Sequence, residues 1–277
     1  MDVNGWTYYN HAAIPACWPH EEPDITPVRD GSVWSMNGRP LFARWTTDYD
    51  CGEQTEFYYC IKDDLLDLSA LKAKRRYEIT RGLRNFEVRT ICAEEYAHEL
   101  YLVYAESLKG YGGTVFPEPE EAFQANVQAW MQECCVLFGV FDRESGALCG
   151  YADVWTHGRY LPISSLKTRP DCEKAGVNFA LVYGILQHFA DDIRQGAYLC
   201  DGARNVLHQT NFQAFLIKYF QFRKAYCRLH IAYRPGVGLA VRCLFPFRKQ
   251  LRSLGGRVGR MLDSVLKMEA WQRGLPE

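Results

Sequence analysis

The sequence predicts a mixed α/β fold of the α+β kind, and three observations carry that prediction. Between residues 86 and 233 the pattern reads strand, helix, helix, three strands in succession, helix, strand, helix, strand. Strands do not alternate singly with helices, which disfavours a doubly wound parallel sheet. A five-residue turn at Asp142-Arg143-Glu144-Ser145-Gly146 joins two of the three successive strands, so the middle of the sheet is antiparallel. Finally, 277 residues with 48% hydrophobic and 23% charged side chains have the composition of a globular chain that buries a sizeable core.

The elements follow in order. Residues 1 to about 60 are rich in Pro, Gly, Trp and Tyr and poor in helical periodicity, and read as a β-rich cap over 1–62. Within it, Ser32–Met36 and Pro40–Trp45 flank Asn37-Gly38, the strongest short hairpin signal, and Phe57–Ile61 reads as a strand. Ser69 is placed to cap a helix running to about Arg81, and Glu87–Ile91 alternates as a strand. Tyr96, Leu100, Val103 and Tyr104 share one helical face, as do Phe123, Val127 and Trp130 with Met131 after the Gly110–Pro119 loop. Val136–Phe141 and Leu148–Trp155 are strands. In the second, Leu148, Gly150, Ala152 and Val154 take one face, and Cys149, Tyr151, Asp153 and Trp155 the other. Tyr160–Thr168 is a third strand. Val177, Ala180, Leu181, Gly184, Ile185 and His188 stripe a helix, on which His188 reads as a core side chain. Ala197–Cys200 is a short strand stopped by Asp201-Gly202. Phe212, Phe215, Leu216, Tyr219 and Phe220 mark a helix buried on one side, and Arg228–Tyr233 is a last strand. The main domain is expected over 63–236 and a basic amphipathic helical tail over 237–277.

Several function classes are excluded or disfavoured. With 32 Lys+Arg against 33 Asp+Glu the net charge is -1, which rules out a whole-chain basic field for nucleic acid but leaves local patches open. The 11 cysteines are odd in number and contain no C-x-x-C pair, so they read as reduced thiols of a cytosolic protein. The residues from Met1 to Trp6 have no basic n-region or apolar h-region of a signal peptide, and no apolar run approaches a membrane span. No H-E-x-x-H, P-loop, dinucleotide fingerprint or G-x-S-x-G is present, and no metal is expected.

From about residue 57 to 234 the chain resembles the GNAT-type acyl-CoA N-acyltransferase superfamily, and more narrowly its FemAB-like branch. The resemblance is carried by Lys72-Ala73-Lys74-Arg75-Arg76-Tyr77-Glu78-Ile79 before the first core strand and by the Leu137–Phe141 and Leu148–Tyr151 hairpin. Phe215-Leu216-Ile217-Lys218-Tyr219-Phe220-Gln221-Phe222-Arg223 completes it. In that last stretch Gln221 stands where the family usually has Gly, so a different turn is expected there.

The resemblance implies acyl transfer from acyl-CoA (acetyl-CoA in the simplest case) to an amine, such as an amino sugar or a cell-envelope precursor. The donor's diphosphate would meet the start of the central helix, here Lys174, Ala175, Gly176, Val177 and Asn178, where helix-terminal amides attract phosphate. Only Gly176 matches the glycine signature. Amides of the strand end Ser165-Leu166-Lys167 would polarise the acyl carbonyl, where the sheet should part to leave a slot. Asp201 and Asp153 are the candidate bases, and Tyr219 could return a proton to the leaving group. Tyr151, Trp155, Tyr160 and Arg204 are the candidate acceptor-binding side chains. Each has a plainer reading: Asp201-Gly202 as a turn, Asp153 on a solvated face, Tyr219 in the core.

Two rivals stay open. One is aminoacyl transfer from charged tRNA, with the Lys72–Arg84 cluster as the RNA contact. The other is a degenerate fold acting as a binding or scaffold module. The tail from Val237 to Glu277 holds eight basic against three acidic residues, with Leu251, Leu254, Val258, Met261, Leu262, Val265 and Leu266 interleaved. It is expected to lie on an anionic membrane surface, on the protein's own body or on a second copy in a homodimer.

Overall fold

The computed structural model describes residues 4–109, 116–206, 211–251 and 256–275. In chain order its strands are β1 Trp6–Tyr9, β2 Ala12–Pro15, β3 Phe42–Thr47, β4 Phe57–Lys62, β5 Phe86–Thr90, β6 Cys135–Asp142, β7 Leu148–Trp155, β8 Tyr160–Thr168, β9 Tyr198–Ala203 and β10 Arg223–Tyr233. The helices are α1 Thr26–Arg29, α2 Ala73–Asn85, α3 Ala97–Leu108, α4 Glu120–Trp130, α5 Val177–His188, α6 Ala190–Arg194, α7 Phe212–Phe220, α8 Val237–Leu244, α9 Arg248–Leu251 and α10 Gly256–Gln272. The chain divides into two compact units. A central unit comprises Ile61–Gly202 and Ala214–Phe222. An outer unit comprises Met1–Cys60, Ala203–Gln213 and Arg223–Glu277.

In the central unit the strands are arranged β9-β8-β7-β6-β5. β5, β6, β7 and β8 are antiparallel, and β8 and β9 are parallel. Asp142 closes the β6–β7 turn by accepting from the Ser145 amide and hydroxyl, both at 2.8 Å. One sheet face packs on α3 and α4 through Leu100, Val103, Phe123, Val127 and Trp130 against Leu137, Phe141 and Tyr151. α5 covers the other face, where Phe138 meets the His188 and Phe189 rings. His188 itself is exposed, so the apolar stripe ends at a rim histidine and not in the core.

In the outer unit the strands run β1-β2-β3-β10, with β4 beyond β10. The hairpin expected at Asn37-Gly38 does not form. Ser32–Ser35 is a 3-10 turn, and β3 pairs instead with β2 in parallel and β10 in antiparallel. Gly38 lies close under the Tyr8 ring. The hairpin of this region is β1–β2, with Tyr9 opposite Ala12 across a two-residue turn in which Asn10 and His11 both take positive φ, 46° and 66°. That conformation matches the twist of the strands without a glycine.

Two helix boundaries also differ from expectation. α2 starts at Ala73 without a side-chain cap, and runs on to Asn85. Ser69 is held by Asp67, to which its amide and hydroxyl both donate. Gln221 adopts φ 59°, and the Phe222 amide reaches back to Leu216 O, so α7 closes with the turn that a glycine would have given. The tail is not one helix but α8, α9 and α10 with a 3-10 turn at Phe245–Phe247.

Candidate active site

β8 carries the site because two local features bend it. Asp153 faces Ser165 and Val154 faces Ile163, so Ser164 is an extra residue, a bulge. Two residues earlier stands Pro162, which has no N–H for a ladder. The β8–β9 pairing runs through Tyr160–Tyr198, Leu161–Leu199 and Pro162–Cys200 and stops there. Residues 163–168 continue along β7 alone, so β8 and β9 part after Pro162, within the stretch where the sequence predicts a slot.

Register puts Tyr151 opposite Lys167 and Asp153 opposite Ser165, on the face covered by α3 and α4. Asp153 is 1% exposed, which excludes the solvated-face reading. Trp155 Nε1 donates to its Oδ2 at 2.8 Å, while Oδ1 is buried without a hydrogen-bond partner among the described residues. Burial raises the Asp153 pKa, against the opposing pull of Trp155, Ser165, Ser164 and Trp130 beside it. The same burial pushes Lys167 down and Tyr151 up, with the Asp153 charge adding to the rise of Tyr151. Cys135, opposite Trp155, is pushed up to about 12, first by burial and then by Asp153. The sequence alternation places Asp153 beside Tyr151 and Trp155. Trp130 and Ser164 escape it, because one comes from a helix and the other from a bulge.

Asp201 lies on β9 just beyond the last paired residue, Cys200, and is half-buried. Two strand spacings separate β9 from β7, about 10 Å across the sheet. Tyr160 starts β8 with its ring against Tyr198 at 5.7 Å, and His157 stacks between Trp155 and Tyr160 at 6.4 Å from each. An aromatic row therefore leads from the paired start of β8 and β9 to Trp155, the residue that holds Asp153.

The other candidates fall elsewhere. Tyr219 packs edge-on to Phe179 of α5 at 4.9 Å, so it belongs to the opposite face from Asp153. Arg204 belongs to the outer unit, where it pairs with Glu56 at 3.0 Å and lies 4.2 Å over the Trp271 ring. At the start of α5 the Gly176 amide donates to Glu173 O at 3.0 Å, and Asn85 of α2 donates to Ala175 O at 2.9 Å. A Cβ on Gly176 would stand 3.0 Å from Gly82 Cα. Gly176 is thus a packing glycine that lets α2 cross the start of α5. Val177 is fully buried, Asn178 accepts from the Thr168 hydroxyl at 3.1 Å, and Lys174 is exposed. Leu166 is half-buried opposite Ala152. Among the described residues no group of three His, Cys, Asp or Glu is placed to hold a metal.

No family model matches the chain, and no curated protein matches its sequence. Solved structures do match its fold. The crystal structure of the C-terminal domain of a proposed lysylphosphatidylglycerol synthetase from Agrobacterium fabrum superposes with TM-score 0.52 at 15% identity, covering 86% of this chain and 82% of that one. L-PGS from Bacillus licheniformis gives 0.51 at 13% identity, covering 88% and 84%. A conserved protein of unknown function from Bacteroides thetaiotaomicron gives 0.55 at 12% identity, with 83% of each chain covered. At these identities the likeness is one of fold, a mixed α/β architecture to which the chain's own element order also leads.

Proposed function

We propose that the central unit transfers an acyl group from an activated ester to an amine, with the parted β8 and β9 receiving the donor and Asp153 acting as base. The observation that carries this reading is Asp153 itself, a buried carboxyl with raised pKa and one oxygen without a hydrogen-bond partner among the described residues, one strand from a gap in the sheet. A base must be ionised yet hold a proton well, and burial supplies the second property. The acceptor nitrogen attacks the acyl carbon, its proton passes to Asp153 directly or through a water, and the carbon–sulfur or carbon–oxygen bond of the donor breaks. Of the amides of Ser165, Leu166 and Lys167, those that alternate away from β7 and are not paired with β9 are the groups available to the carbonyl oxygen. Asp201, on the other side of the parting, is the second candidate base. Tyr151, Trp155 and Tyr160 line the acceptor's approach.

The donor read first is acyl-CoA, with its pantetheine arm between the strands. Thermal-shift titration with acetyl-CoA tests it: a ligand at about 100 times its dissociation constant adds roughly 2.7 kcal/mol of stability. No shift with acetyl-, succinyl- or longer acyl-CoA rejects that donor. A second reading, aminoacyl-tRNA as donor in the manner of the FemAB-like branch, is favoured by the exposed cations Lys72, Lys74, Arg76 and Arg84 on and beside α2. The one acid of that helix, Glu78, is paired with Arg81 at 2.7 Å. Salt-sensitive retention of charged tRNA, lost on changing those four cations to Gln, supports this reading, and the absence of retention at low salt removes it.

A further inference from the structure

The outer unit ends in helices whose two faces have opposite characters. Inward, Val241 and Phe245 from α8 and the turn after it meet Leu266 and Ala270 of α10 in one buried cluster. Met268 and Trp271 of α10 join a second cluster with Phe57, Leu229 and Ile231. The tail therefore already has the body of its own unit as a partner. That contact nevertheless leaves large apolar side chains outside: Leu239 is 66% exposed, Phe247 58%, Val258 66% and Met261 36%. Isolated exposed hydrophobics need no explanation, but four carried by α8, the turn after it and α10 do.

The charges around them are mainly basic, with the half-buried Asp263 of α10 as the acid among them. Arg242, Lys249 and Arg260 are exposed and have no carboxylate partner among the described residues. The acid of this region with its partners in view, Glu269, is turned inward, where it accepts from Tyr233 Oη at 2.6 Å and from Arg273 at 2.6 Å. Cations and bulky apolar groups thus share the outer surface, while a neutralised acid lies inside. Among the described residues no helix is long and apolar enough to cross a membrane.

We propose that α8, α9 and α10 form a docking face for an anionic lipid surface, with Leu239, Phe247, Val258 and Met261 entering the acyl boundary and Arg242, Lys249 and Arg260 meeting headgroup phosphates. Exposed apolar side chains and unpaired cations carried by the same helices are what an interfacial contact requires. A protein partner that buried the same face would leave three cations to be matched one by one. The proposal is independent of the transfer chemistry, since none of these residues belongs to the central unit.

Co-sedimentation of the full chain with vesicles tests it. Binding is expected to vesicles of equal parts phosphatidylcholine and phosphatidylglycerol, to weaken with added salt, and to be slight on phosphatidylcholine alone. Changing Arg242, Lys249 and Arg260 together to Gln should weaken it about a hundredfold, from roughly fivefold per cation at the surface. Leu239→Ser with Val258→Ser should weaken it at every salt concentration. All five positions are exposed, so the thermal midpoint should not move and serves as the control for folding. Equal binding to both vesicle types, or none to either, overturns the proposal. So does a concentration-dependent dimer in analytical ultracentrifugation that Leu239→Ser abolishes, which would give the face to a second copy.

Discussion

Asp153, the proposed base, would link stability to chemistry. Its folded pKa lies above its unfolded one, because burial disfavours the ionised form. Between those two values the folded state binds more proton than the unfolded chain, so stability falls as pH rises through that window and stays lower above it. Asp153→Asn should therefore raise the thermal midpoint at neutral pH and lose that advantage below about pH 4, where both states are protonated. The same substitution should lower kcat by about 10²- to 10⁴-fold and abolish the rise of kcat/KM with pH that deprotonation of Asp153 produces. A variant that is more stable yet fully active would remove Asp153 from the reaction. Gly176 has a purely structural task at the same scale. It takes φ +99° and abuts Gly82 backbone, so Gly176→Ala should cost about 1–3 kcal/mol in urea unfolding.

Elements show where local sequence rules hold and where partners override them. The amphipathic helices α3, α4, α5 and α7 are legible because a 3.6-residue period depends only on near neighbours. Hairpins are less so. Asn37-Gly38 carries the stronger signal, yet β3 finds its partners in β2 and in β10, far along the chain, while the real turn uses Asn10-His11. At the end of α7 the turn persists although its residue is unfavourable. Gln221→Gly should therefore stabilise the protein by about 0.5–1 kcal/mol, read as a shift in the urea midpoint without change in slope. A loss of stability there would mean that the Gln221 side chain holds something a glycine cannot. The parting of β8 from β9 has a visible cause in Pro162 and the Ser164 bulge, but only pairing data show that the bulge exists.

At the scale of the whole molecule, the chain leaves the outer unit after Cys60, builds most of the central unit, returns, crosses once more and ends where it began. Segments at opposite ends of the sequence thus complete one core: Phe42 and Phe57 pack with Leu229, Met268 and Trp271. Truncation after residue 255 should lower the thermal midpoint, because it removes four nearly buried side chains, Leu266, Met268, Ala270 and Trp271, from the outer unit. An unchanged midpoint would show that α10 docks too weakly to support that core. By itself, the sequence determined the mixed α/β class, the order of elements from 86 to 233, the helical faces, and the placing of Asp153, Tyr151 and Trp155 on one side of a strand. All of these are periodicities set by neighbours a few residues apart. Tertiary structure alone decided which candidates share a site. It buried Asp153 beneath Trp130, turned Tyr219 to the opposite face, tied Arg204 to Glu56 and closed α2 over Gly176. Those outcomes depend on packing between segments distant in the chain, which no local pattern encodes.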